Sequence, residues 1–252
     1  MFREIFSPIQ DHLDKAEEVF HSVARLKVVS LDRLARLYCS PPELVLRSAL
    51  VILSAGMFGP VTYRIYRLAT LFQLVFVASS LHRNITTAKE KDQAIQFPIL
   101  AGDYFYSKSF TILLEEGLER YLQVLSGLIA QINENSVLRL LYPRDPGVLE
   151  KFVGSDQAGL LAWGCRISGE ANGAGETEAV NLYQYGFSLG MAAGLQKEEI
   201  LAEKVSACFE KARKALSQLP EGTSRNILAK LVDYFASAKE GGENEPFCNI
   251  QK

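Results

Sequence analysis

The stretch LATLFQLVFVASSLHRNITTAKEKDQAIQFPILAGDYFYSKSF, Leu68 to Phe110, joins two apolar helical runs through a polar loop. The first run carries no charge until it ends at His82-Arg83, and Gly102-Asp103-Tyr104 opens the next helix inside a second apolar run. A helical enzyme would keep its polar chemistry at such a junction.

Outward from this stretch the period is helical nearly everywhere. Val45 to Met57 is apolar apart from Arg47 and two serines, and Tyr63 to Leu81 is as apolar, so both read as helices buried on most sides. Gly59-Pro60 turns the chain between them and makes them antiparallel neighbours. Upstream, Phe6, Ile9, Leu13, Val19, Phe20 and Val23 mark an amphipathic helix, and Leu31, Leu34, Leu37 and Tyr38 a second behind an N-cap at Ser30. Pro41-Pro42 permits a fresh helix start. Downstream, Ala101 to Asn135 reads as a long helical stretch with Gly117 as a break or a kink, and Val148 to Ser168 as one helix. Ala179 to Leu195, Glu198 to Leu219 and Arg225 to Lys239 follow, divided by glycine- and proline-rich turns. Nothing alternates at period two for long enough to make a sheet. The expectation is one all-α domain over residues 1–240, an antiparallel helical bundle, with residues 241–252 a frayed, flexible tail.

Composition narrows the class. The chain has 252 residues, 48% hydrophobic and 22% charged, with a formal net charge of -2. That is globular, and no basic field is present to recruit nucleic acid or anionic lipid. The four cysteines are scattered without C-x-x-C pairing, which points away from zinc and from a disulfide framework. The N-terminus lacks the pattern of a signal peptide, and the apolar stretch Leu68–Leu81 falls below the ~18–20 residues that span a bilayer. A cytoplasmic protein without a transmembrane segment is expected.

Several segments together resemble the trans-polyprenyl diphosphate synthases. ILAGDYFYSKSF is similar to the family's V-x-x-G-D-Y-x-x-x-x-x-F helix start. Tyr185-Gly186-Phe187-Ser188-Leu189-Gly190-Met191-Ala192 keeps its Y-G-x-x-L-G-x-A core, and Lys204–Pro220 and Arg225–Tyr234 are similar to its two final helices. The resemblance implies the isoprenoid-synthase bundle, shortened here after the second aspartate motif. The metal-binding positions depart from the pattern. Where the family has A-S-L-I-H-D-D-x-x-D, this chain has Ala78-Ser79-Ser80-Leu81-His82-Arg83-Asn84-Ile85-Thr86-Thr87, so Arg83, Asn84 and Thr87 replace three aspartates. In the second motif Lys197, Glu198 and Leu201 stand at the aspartate positions. Leu44 and Val45 replace a lysine and an arginine that hold the isopentenyl diphosphate, with Arg47 matching the second arginine, and Asp156 replaces a lysine.

Ionising an allylic diphosphate needs Mg²⁺ on the leaving group, and Mg²⁺ needs carboxylate and water oxygens. No carboxylate survives at the first site and only Glu198 at the second. No catalytic residue and no metal ligand is therefore assigned to this chain, and Mg²⁺ is expected only on a catalytic partner. Arg47, His82 and Arg83 are candidate phosphate contacts, while His82 also reads as an inherited helix-end residue. Ala78 and Ser79 are small, which in the family leaves a tunnel open for a long isoprenoid tail; small residues equally allow close helix packing. Glu198, Glu199 and Glu203 read as a solvated first helical turn before they read as a shifted metal cluster. Asp103 reads as an acid at a helix start.

The resemblance implies a role like that of the small, non-catalytic component of heteromeric hepta- or hexaprenyl diphosphate synthases. The expected partner is a catalytic polyprenyl diphosphate synthase subunit, in a heterodimer or heterotetramer, because the family dimerises through the helices flanking the central stretch; a homodimer is the alternative open to the isolated chain. The alternatives are a stand-alone pseudoenzyme that binds an isoprenoid chain and, ranked last, an enzyme of altered chemistry.

Overall fold

The computed structural model describes residues 2–24, 41–84, 92–198 and 202–237. Outside its turns the chain is helical, and no strand occurs among the described residues. The all-α bundle read from the periodicity is what forms. A single turn at Phe2–Ile5 and a 3₁₀ turn at Ser7–Ile9 lead into α1 (Gln10–Val23), which buries Leu13, Ala16, Val19 and Phe20. The second expected helix, Leu31 to Tyr38 with its Ser30 cap, lies outside the described residues, as does the tail from residue 241.

At the centre stand α2 (Pro41–Gly56) and α3 (Tyr63–Asn84). Leu68, Ala69, Leu71, Phe72, Leu74 and Val75 point to different sides of α3, and all are buried. Neighbours on every side account for this, since α1, α2, α4, α5 and α7 all pack on it. The helix extends past the apolar stretch seen in the sequence. Tyr63–Arg83 is long and apolar enough to cross a membrane by composition, but 89% of that window is buried inside the bundle.

Several expected boundaries are refined. The helix containing Gly102 begins ten residues earlier, as α4 (Asp92–Glu115), with Pro98 inside it. Gly102-Asp103-Tyr104 is therefore mid-helix, and Asp103 is not a dipole-stabilised first-turn acid. Gly117, at φ +64°, is a break and not a kink, the first of the two readings its position offered, and a 3₁₀ turn at Glu119–Tyr121 opens α5 (Leu122–Leu141). The stretch read as one helix from Val148 to Ser168 is three pieces: α6 (Pro146–Val153), a π-helical turn (Gly154–Gly159) and α7 (Leu160–Ala171). Asp145 caps α6 by accepting from the backbone N–H groups of Gly147 (2.8 Å) and Val148 (3.1 Å). The chain closes with α8 (Glu176–Lys197), α9 (Ala202–Ser217) and α10 (Thr223–Ser237).

The best-kept part of the Y-G-x-x-L-G-x-A pattern is architectural. Gly186 and Gly190 lie four residues apart on α8 and face the backbone of the π turn and α7. A Cβ on Gly190 would stand 2.5 Å from the Ala158 Cα, and one on Gly186 2.7 Å from the Leu161 carbonyl oxygen. The helix axes are thus closer than any side chain permits. Between them, Tyr185 is fully buried and donates its hydroxyl to the Leu228 carbonyl (3.0 Å), tying α8 to α10.

Cys165, buried in α7, supplies a direct probe of this packing. Burial pushes its thiol up to about 12, against a hydrogen bond with Ser54 that acts the other way. The thiolate is the reactive form, so Cys165 is expected to stay silent toward a water-soluble thiol reagent at pH 8 in the native protein, and to react on unfolding. Cys208, partly exposed, is expected to react more readily. Native-state labelling of Cys165, located by mass spectrometry, would show that α7 opens.

Candidate functional site

The last turns of α3 and α5, the end of α8, α6 and the π turn meet at one end of the bundle. Arg83, in the last turn of α3, forms an ion pair with Asp156 of the π turn and also donates to the Ser80 hydroxyl (2.9 Å). The Asp156 side chain is 3% exposed. The Arg83 guanidinium lies 5.6 Å from the Phe152 ring centroid, and the Arg139 guanidinium, from the last turn of α5, lies 4.4 Å from the same centroid. Arg139 in turn pairs with Glu198 at 2.7 Å. Glu198 is the C-cap of α8 and is 15% exposed in its side chain, which corrects its reading as a solvated first turn of the next helix. Glu203 is the exposed first-turn acid of α9.

The substitutions that read as two separate losses are therefore joined in space. Arg83 and Asp156, which the sequence offers as separate departures from the family pattern, meet here, and each supplies the other's counter-charge. Asn84 and Lys197 end α3 and α8, and Thr87 and Leu201 lie outside the described residues.

His82 packs beside this network. Its ring sits on Gly102, where an added Cβ would come within 2.3 Å, and meets the Tyr106 ring at a centroid distance of 5.5 Å. Its Nε2 is 3.3 Å from the Ile99 carbonyl and 3.5 Å from Asp103. The glycine of G-D-Y thus makes room for a histidine ring. Of the three candidate phosphate contacts, His82 and Arg83 share this end. Arg47 is 2% exposed, stacked on Phe76 (3.2 Å) and donating to the Glu43 carbonyl (2.9 Å). Ala78 and Ser79, the tail-tunnel candidates, are both buried, and the Tyr106 hydroxyl lies 2.9 Å from Ser79 Oγ. Burial pushes the Tyr106 phenol above its ordinary value, the bond to Ser79 opposing.

The donor set does not fit Mg²⁺. Octahedral Mg²⁺ is held through free carboxylate oxygens and waters, whereas Asp156 and Glu198 are each engaged by a guanidinium. Among the described residues no group of three His, Cys, Asp or Glu side chains is placed to hold a metal ion. Phe152 and Arg139 carried no sequence signal used above; an arginine inside the apolar run VLRLLY could have drawn notice to the second.

No family model matches the chain. It is similar to the octaprenyl diphosphate synthases of Escherichia coli and Shigella flexneri, 24% identical over 160 residues, 58% of this chain and 50% of each relative. The chain thus spans about half the length of the curated relatives it matches. Among solved structures it superposes on a polyprenyl synthase from Caulobacter crescentus complexed with calcium and isoprenyl diphosphate, with a TM-score of 0.80 at 15% identity, covering 94% of this chain and 98% of that one. A decaprenyl diphosphate synthase from Rhodobacter capsulatus gives 0.77 at 18% identity, with 94% and 98% covered. A heptaprenyl diphosphate synthase from Staphylococcus aureus gives 0.73 at 15%, with 91% and 98% covered. The bundle has the fold of these synthases.

Proposed function

We propose that this chain is a cytoplasmic, non-catalytic subunit of a heteromeric long-chain polyprenyl diphosphate synthase, with the metal chemistry carried by a partner of the same fold. The observation that carries the reading is the fate of the acids at the candidate site. Asp156 and Glu198 are each spent on an arginine, and Arg83 stands at the first motif position. A surface feature supports a partner. The helix α4 exposes Phe97, Leu100 and Leu114, and α5 exposes Val137, Leu140 and Leu141, six large apolar side chains on two helices. Exposed large apolar side chains are what an association surface would use.

The test is prenyltransferase activity with farnesyl diphosphate, isopentenyl diphosphate and Mg²⁺. The chain is assayed alone, then mixed with a synthase subunit from the same cell that retains both aspartate motifs. The expected result is no product from this chain, long-chain product from the mixture, and co-elution of the two on a sizing column. Turnover by this chain alone overturns the reading. A mixture that neither co-elutes nor gains activity also overturns it, in favour of a stand-alone isoprenoid-binding protein.

A further inference from the structure

We propose that Arg83–Asp156 and Arg139–Glu198, joined through Phe152, form a latch that closes this end of the bundle without a metal ion. Three helix C-termini, those of α3, α5 and α8, contribute to the network. Each carries the negative end of a helix dipole, and a cation there is favourable. Glu198 at the end of α8 and Asp156 in the π turn add two formal negative charges to the same place. Arg83 and Arg139 sit in the last turns of their own helices and supply two positive charges from within the chain. The guanidiniums share one aromatic ring, an arrangement that would be repulsive if each did not hold its own carboxylate.

Burial makes the pairing obligatory at one of the two bridges. Asp156 is 3% exposed in its side chain, and a carboxylate so placed is tolerated only with a partner. The π turn that presents it is an uncommon backbone form, found mostly as a single turn at a specialised site. Here it turns Asp156 toward α3. The latch spans segments distant in sequence: residue 83 meets residue 156, and residue 139 meets residue 198. Charge that a metal would otherwise bring to this end is already present, so the closed arrangement is the resting one.

The inference stands apart from the subunit reading, because its test uses this chain alone. Thermal unfolding is compared for the wild-type chain, Arg83→Met, Asp156→Asn and the double variant, with and without millimolar Mg²⁺ and inorganic diphosphate. Arg83→Met leaves Asp156 buried without its guanidinium, and its Tm is expected to fall by roughly 6–15 °C. Adding Asp156→Asn removes the orphaned charge and is expected to recover more than half of that fall. Should Arg83→Met not fold at all, folding of the double variant is the same rescue. Wild-type Tm is expected not to respond to Mg²⁺ with diphosphate. Additive losses in the double variant, or a wild-type Tm raised by several degrees by the metal and diphosphate, would overturn the latch.

Discussion

Gly190→Leu is expected to leave no folded protein, and Gly190→Ala to cost about 3 kcal/mol. The atom that an added Cβ meets at 2.5 Å is the Ala158 Cα, part of the backbone, which cannot rotate aside. Overpacking a tight interface costs about 1–3 kcal/mol and sometimes more when the backbone must shift. The contact repeats one turn away at Gly186, against the Leu161 carbonyl and Ala162 backbone, so a local shift at Gly190 is resisted by its neighbour. Against a total stability of about 5–15 kcal/mol, leucine at this position exceeds what the bundle can absorb. Gly127 on α5 is the control. It is exposed, and nothing stands within 4 Å of where its Cβ would be. Gly127→Ala is expected to raise stability by about 0.5–1 kcal/mol through helix propensity. Urea unfolding of the two alanine variants checks both signs; a neutral Gly190→Ala would mean that α8 and the π turn do not approach as described.

The same glycines show what a sequence can and cannot disclose. The helix that carries them is legible from the apolar run Ala179 to Leu195, which is local information, whereas the backbone each glycine faces is not. Helices α2 and α3 were legible for a similar reason, since a helix apolar on all faces needs neighbours on all faces. The start of α4 is not legible, because a glycine such as Gly102 looks like punctuation. Pro98 is accommodated inside the helix, and Gly102 is small because the His82 ring, twenty residues earlier, lies on it. No local pattern reports that contact. The π turn has no signature of its own: Gly154 to Gly159 is poor in helix formers, a composition it shares with ordinary turns.

The candidate site divides in the same way. That carboxylates were missing from two motifs could be read from single positions. That Arg83 and Asp156 compensate one another could not, because 73 residues separate them and each, taken alone, reads as a further defect. Asp156 in isolation would repel a diphosphate, and Arg83 in isolation would repel a cation. Together they neutralise each other at a position where both are largely buried.

Phe152→Ala is expected to cost about 3–5 kcal/mol, seen as a lower urea midpoint with an unchanged slope. Phe152 is 5% exposed and belongs to a small apolar cluster with Val153, Ala158, Met191 and Leu195. Truncation opens a cavity between α6 and α8, and the atoms around it relax only in part. It also strips the ring from under two guanidiniums, an interaction worth about 0.5–2 kcal/mol. Phe152→Leu separates the two contributions. Leucine retains most of the apolar volume and loses the ring electrons, so a cost near 1–2 kcal/mol is expected, well short of alanine. If leucine were as damaging as alanine, the aromatic face would be the dominant element and the packing secondary. If alanine cost less than 1 kcal/mol, the meeting of α3, α5, α6 and α8 at this residue would not be the closely packed junction described. Either measurement bears on how this end of the bundle is packed: the Arg83–Asp156 and Arg139–Glu198 pairs both place their guanidinium on the Phe152 ring.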